Sequence, residues 1–225
     1  MRRTFVTLIL LVLISSLSAA RPDEKDIPEG FESLFNGKDL RGWKAYGGKT
    51  EVWGVDKGLL FAAGPGGGWL LTDKEYADFE LRLEYRWEKD GGNSGVALRA
   101  PLTGDVHTSG LEVQLIDDAG YERVHNYKLK PTQHTGSIYG EAAPTKLPGK
   151  GPGEWNKMRI IARGRRITVE LNGETVNDAN LDDYKAHEKE HPGLLREKGH
   201  LGVQSHDGRV EFRNLFVKPL DRAKK

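Results

Sequence analysis

Apolar positions along this 225-residue chain recur mostly with a period of two, the spacing of a strand with one buried face. In FELRLEYRWE, residues 79 to 88, Phe79, Leu81, Leu83, Tyr85 and Trp87 alternate with Glu80, Arg82, Glu84, Arg86 and Glu88. RITVELNGETV, residues 166 to 176, puts Ile167, Val169 and Leu171 on one face and then meets Asn172-Gly173. That pair best accepts positive φ in a two-residue turn, so a hairpin is expected there. Similar runs predict strands over 51–55, 58–62, 68–71, 94–99, 111–116, 136–139, 156–162, 199–205 and 209–218. Many short strands joined by Gly-rich turns predict an all-β sandwich or barrel.

Two stretches break the rhythm. Residues 118–153 are rich in Gly, Pro and Lys, and 177–198 are polar with room for one short helix. Loops of that length in a compact domain are commonly functional or disordered. With no repeat and no internal linker, one domain is expected over about 28–220, followed by a frayed basic tail at 221–225. Within the second stretch, HEKEH (187–191) fits the zinc pattern H-E-x-x-H. Its neighbours are nearly all charged, Pro192 stops the helix, and residue 197 is Glu where the extended motif needs a third histidine. A solvated loop or terminal turn is expected instead.

The N-terminus changes the picture of location. Arg2 and Arg3 precede an apolar run from Phe5 to about Leu17, and Ser18, Ala19 and Ala20 supply small residues for cleavage. This reads as a signal peptide over 1–20, and the run is shorter than the roughly 20 residues of a membrane span. A mature protein beginning near Arg21 is expected in the periplasm or outside the cell, with no membrane attachment. Cysteine is absent, so neither disulfides nor thiolate metal sites can support the fold. Without Arg2 and Arg3 the basic count falls from 34 to 32 against 33 acids, a balance that offers nothing to nucleic acid.

Candidate chemistry comes from polar residues on strands that are otherwise apolar. In GLEVQLIDD, Glu112 and Gln114 share a face opposite Leu111, Val113 and Leu115. In NSGVALRA, Asn93, Gly95, Ala97 and Arg99 share a parity, as do Gly202, Gln204 and His206 in GHLGVQSHDG. If these faces join, they form a polar trough floored by Gly and Ala, with room for a ligand above the sheet. Of the five tryptophans, Trp87 and Trp155 have the parity of core residues, while Trp69 after GPGGG is the better candidate for a rim.

The order of GFESLFNGKDLRGWK, NSGVALR, GLEVQLID, TGSIYG, GEWNKMRIIARG, LNG, GVQSH and VEFRNLFVK resembles the bacterial 3-keto-disaccharide (3-keto-glycoside) hydrolases, over nearly the whole mature chain. The resemblance implies a concanavalin A-like jelly-roll sandwich with a carbohydrate site on one sheet, acting on sugars already oxidised at C3. It also implies a separate sugar 3-dehydrogenase upstream, because no dinucleotide-binding fingerprint occurs here. Such a substrate asks for a base at C2, a stabiliser for the enolate oxygen and a donor for the leaving oxygen. Glu112 and His206 are the natural proton carriers. Arg99, Gln114 or a divalent cation could hold the oxyanion, and Asp117, of opposite parity, could serve as a ligand or orient a histidine. Asn93, Gln204, His134 and Tyr139 are expected to contact the sugar. Two alternatives stay open: a retaining glycosidase using Glu112 and Asp117, in a pattern similar to the E-x-D-x-x-E of concanavalin-like glucanases, and a lectin without turnover.

Overall fold

The computed structural model describes residues 27–221; the expected signal peptide and residues 222–225 of the tail lie outside the described residues. In chain order the strands are β1 (Glu32–Ser33), β2 (Trp43–Tyr46), β3 (Trp53–Asp56), β4 (Leu59–Ala62), β5 (Trp69–Tyr76), β6 (Phe79–Trp87), β7 (Asn93–Ala100), β8 (Leu111–Ile116), β9 (Asn156–Arg163), β10 (Arg166–Leu171), β11 (Glu174–Asn180), β12 (Gly199–Gln204) and β13 (Val210–Pro219). Two short helices, α1 (Val106–Ser109) and α2 (Asp118–His125), lie on either side of β8. One sheet runs β11-β10-β9-β6-β13-β4-β3, with β1 also paired to β13, and the other runs β2-β5-β12-β7-β8. The strands pair antiparallel throughout the described residues, and the two sheets form the jelly-roll sandwich that the strand pattern and the resemblance led us to expect.

Alternation explains the layering. Phe79, Leu81, Leu83, Tyr85 and Trp87 of β6 turn inward with Leu111, Val113 and Leu115 of β8, and all are buried in one continuous core. Each such side chain contributes about 1.5–3 kcal/mol by leaving water. The expected hairpin is present: Asn172 and Gly173 have φ of 53° and 87°, joining β10 to β11.

Departures from the periodic reading have local causes. Strands β1 and β2 are too short for an alternation to show. Residues 136–139 pair only at Ile138, but three backbone bonds between this segment and Glu112 and Gln114 seal the edge of β8. Helix α2 sits inside the stretch read as loop; it lacks an apolar stripe and is delimited by caps, with Asp117 accepting from Gly120 N and Asn126 left-handed at φ 48°. Trp155 is not a core residue. It lies half-buried on the outside of the eight-stranded sheet, with the guanidinium groups of Arg86 and Arg213 4.7 and 4.0 Å from its ring. HEKEH forms no α-helix, and His191 is buried rather than solvated.

Candidate active site

Strands β7 and β8 pair with Gly95 opposite Gln114 and Ala97 opposite Glu112, while β12 places Gly202 opposite Ala97. The three strands named by parity are therefore neighbours in one sheet. Part of their outer face is already filled: Trp69, Leu71, Ala97, Ala100 and Val106 form a second small apolar cluster, with Tyr46 packed against it. Trp69 is thus packing material and not an open rim. What stays open is the end near Asn93, where a cavity of about 190 Å³ is bounded by Asn93, Gln114, Tyr121, Tyr127, Gln133, Tyr139 and His206.

His206 follows β12 and is anchored through its neighbour, since Asp207 exchanges both backbone hydrogen bonds with Asn93, at 2.8 and 3.0 Å. Its Nδ1 lies 2.7 Å from Asp207 Oδ2, and the Asn93 amide is 3.3 Å away. A carboxylate only accepts, so Nδ1 carries a hydrogen, and in the neutral ring the lone pair then lies on Nε2. Half of the side chain is exposed, which leaves that nitrogen accessible.

Glu112 is in the opposite situation. It is buried behind Gln114 and is not itself a wall of the cavity; burial first, then the negative charge of Asp105, pushes its carboxyl up to about 8. At neutral pH this residue carries a proton and can donate. Gly95 makes the fit: a Cβ there would lie 2.1 Å from Glu112 Oε1, so only a bare backbone lets the carboxyl rest across β7. In the amide orientation that suits its neighbours, Gln114 donates to Ser94 O at 3.1 Å and to Glu112 Oε1 at 3.3 Å. Tyr139 lies along β8 through its backbone bond to Glu112 O, and its hydroxyl accepts from Gln133, which in turn accepts from Tyr127.

Glu112, Gln114, Asn93, Tyr139 and His206 therefore gather on one sheet. Gln204 shares their face, half-buried beside Trp69, but is not a wall of the cavity. Three expected members go elsewhere. Arg99 takes a left-handed φ of 50° that breaks the parity, and its buried guanidinium donates to Ala77 O, Gly164 O, Arg196 O and Asp78, bracing the far end of the sandwich. Asp117 is spent on backbone amides, accepting from Gly91 N at 2.9 Å and Gly120 N at 3.2 Å. His134 is captured by Asp118 at 2.9 Å and lines a separate crevice of about 350 Å³ with Tyr85 and Lys150. Among the described residues no three His, Asp or Glu side chains gather as ligands for one metal ion, and Asp117, the carboxylate offered for that role, is committed.

Tyr121, Tyr127, Gln133 and Asp207 are walls or supports that periodicity did not single out. Three of them lie in the irregular segment 118–135, where no strand parity applies; Asp207 adjoins His206 and could have been found as its partner.

Comparison with known proteins adds independent findings. Residues 30–218 match the family model of the 3-keto-alpha-glucoside-1,2-lyase-like domain. A 3-keto-disaccharide hydrolase of Bacteroides thetaiotaomicron is 27% identical over 254 residues, covering 92% of this chain and 85% of that protein. The crystal structure of a candidate glycosyl hydrolase from Parabacteroides distasonis superposes with a TM-score of 0.77 at 29% identity, covering 86% of this chain and 95% of the other. Lectin II from Ulex europaeus, at 13% identity and a TM-score of 0.54 over 80% and 94% of the two chains, shares the fold alone.

Proposed function

The chain belongs to the 3-keto-alpha-glucoside-1,2-lyase-like family, and from that premise we propose that it cleaves the glycosidic bond of 3-keto-glycosides by elimination followed by hydration. His206 Nε2 removes the C2 proton, which the C3 ketone acidifies, and the electron pair moves into the enolate. The enolate then expels the glycosidic oxygen from C1, forming a C1–C2 double bond, while the neutral Glu112 carboxyl supplies the proton that the leaving oxygen takes. Water adds at C1 and a proton returns to C2, so the net change is hydrolysis; stopping before that addition would make the enzyme a lyase. Asn93, Gln114 and Tyr139 offer polar contacts for the enolate oxygen and hydroxyls.

The observation that carries this reading is the opposed protonation of the two carriers: an Asp-tethered imidazole with a bare Nε2, and a buried carboxyl held neutral to about pH 8. Direct displacement by a retaining glycosidase needs two available carboxyls about 5–5.5 Å apart, and Asp117 is occupied. A lectin would make no use of a neutral buried carboxyl and an accessible imidazole on one sheet. The substrate requires a prior oxidation at C3 by another enzyme, and the apolar N-terminal run supports work in the periplasm or outside the cell. Purified protein is expected to release sugar from 3-keto-trehalose or a 3-keto-glucoside and to leave the unoxidised parents intact. Cleavage of unoxidised glucan would favour the glycosidase, and saturable binding without turnover the lectin.

A further inference from the structure

Two histidines that the proposed reaction leaves unused converge on one enclosed carboxylate. His187 Nδ1 lies 2.6 Å from Glu141 Oε2, and His191 Nδ1 lies 3.0 Å from Glu141 Oε1. His191 also sets Nε2 3.1 Å from Gly110 O. Only 6% of the Glu141 side chain and 7% of that of His191 are exposed, so water does not replace these contacts. A backbone carbonyl can only accept, so His191 Nε2 must carry a hydrogen. The Nδ1 contact then needs a further proton, on the imidazole or on the carboxyl, because a bare Nδ1 facing a carboxylate would set two lone pairs against each other. The unit therefore holds one proton more than a carboxylate between two neutral imidazoles.

The three residues join the segment that carries Tyr139, a wall of the cavity, to α1 and the Pro192–Leu195 turn. Glu141 follows Tyr139 by two positions, beside the bridge between Ile138 and Ala142. Gly110 is the C-cap of α1, and the Pro192–Leu195 turn rests directly upon it: a Cβ on Gly193 would fall 1.7 Å from Gly110 O, so only glycine permits the approach. From α1, Val106 packs onto the sheet with Trp69 and Ala97, and the ring of His107 meets Tyr139 edge-on at 5.8 Å. Tyr139 itself lines the cavity.

We infer that His187, Glu141 and His191 form a proton-dependent clamp that positions α1 and Tyr139 against the cavity, firm while the shared proton is bound and loose once it is lost. Other ionisable groups on the packed elements are Asp105, which caps α1, and His107 on it, Asp182, Asp183, Tyr184 and Lys185 on the preceding turn, and Glu188, Lys189 and Glu190 within the motif itself; Asp105 pairs with His107, Lys185 with Asp182 and Glu188 with Arg165. The hydrogen bond and charge of Glu141 hold the His187 imidazole above its ordinary range. A raised histidine contributes stability that is complete below its unfolded pKa and lost as pH climbs through the folded one, so the His187 arm of the clamp lets go on the alkaline side. The effect on catalysis rests on the reaction proposed above, whereas the clamp does not.

Hydrogen exchange in the full-length protein tests it. Corrected for intrinsic rates, protection of residues 106–110 and 138–142 is expected to fall about tenfold or more between pH 5.5 and 8.5, as cluster opening would require. In Glu141→Gln, whose amide both accepts and donates, protection should be independent of pH. The KM for a 3-keto-glucoside should rise with pH in the parent and not in the variant, with kcat less affected. Ring 15N shifts of His187 in the unsubstituted protein give a reading that survives any misfolding of the variant, and they should move across this range. Unchanged shifts, or the same pH dependence of protection in both proteins, would overturn the clamp even if no 3-keto sugar proves to be a substrate.

Discussion

Glu80 on β6 and Glu112 on β8 occupy equivalent settings, each on the outward side of a central or near-edge strand, yet their surroundings differ in kind. Glu80 accepts from Arg159 at 2.7 and 3.1 Å and from Arg82 at 2.8 Å, and the Arg159 hydrogen bond leads the causes that hold its carboxyl below the usual range. The pattern continues along that face, where Glu84 pairs with Arg213 and Glu211 with Arg86. Among the described residues no arginine pairs with Glu112; Gln114 is its side-chain neighbour, and burial drives it the other way. The difference teaches that the number of charges does not mark the reactive face. The face rich in charge is neutralised pair by pair, and the sparsely charged one holds a carboxyl ready to give up a proton.

Substitution at the sparse face should have the largest effect. Glu112→Gln and His206→Ala are each expected to lower kcat on a 3-keto-glucoside about a hundredfold or more, some 2.7 kcal/mol in barrier height, with folding intact by circular dichroism. The stability of Glu112→Gln should also diverge from the parent with pH. Because the folded pKa of Glu112 is raised from 4.5 to about 8, its contribution is complete below 4.5 and is lost as pH rises through 8. Denaturant titrations should therefore show the parent losing ground to Glu112→Gln across that window, at no more than about 1.4 kcal/mol per pH unit. A constant difference between the two would refute the raised pKa.

Gly95→Ala sharpens the contrast by displacing the carboxyl without removing it. The added methyl must push Glu112 aside, and a loss of about ten- to a hundredfold in kcat/KM is expected, smaller than for the charge-deleting change. Glu80→Gln is the control on the other face. It should cost about 1–2 kcal/mol of stability, reduced by the solvent that reaches its arginine partners, and leave kcat unchanged. Its sign with pH is reversed: a lowered carboxyl stabilises above its unfolded pKa and loses that contribution as pH falls through the folded one.

The sandwich was legible because alternation in β6, β8, β9 and β10 is strict and the Asn172-Gly173 turn has a single conformational answer. Parity also grouped Glu112, Gln114, Asn93 and His206 onto one sheet, since it holds wherever a ladder is regular. It failed at Arg99, where one left-handed residue redirects the side chain, and a guanidinium buried there had to find carbonyls. It had nothing to say about α2 or the 126–135 loop, whose positions come from caps and tertiary hydrogen bonds. Asp117 illustrates the ambiguity of a lone acid: the same residue type serves as a metal ligand, a nucleophile or a helix cap, and only the nearby amides of Gly91 and Gly120 decide. HEKEH was read as a solvated loop from its charged neighbours, whereas the burial of His191 depends on Glu141, 50 residues away.

The placement of β13 reaches beyond the finished molecule. The last strand of the chain lies between β6 and β4 and also receives β1, the first, so Glu32 faces Val217 across nearly the full length of the polypeptide. The central seam of the larger sheet cannot form while residues 210–219 remain within the ribosome, and a shortened chain would expose the unpaired edges of β6 and β4 to other chains. The larger sheet is therefore complete only once β13 is available. The final ten-residue strand is thus the piece that joins the two halves of that sheet.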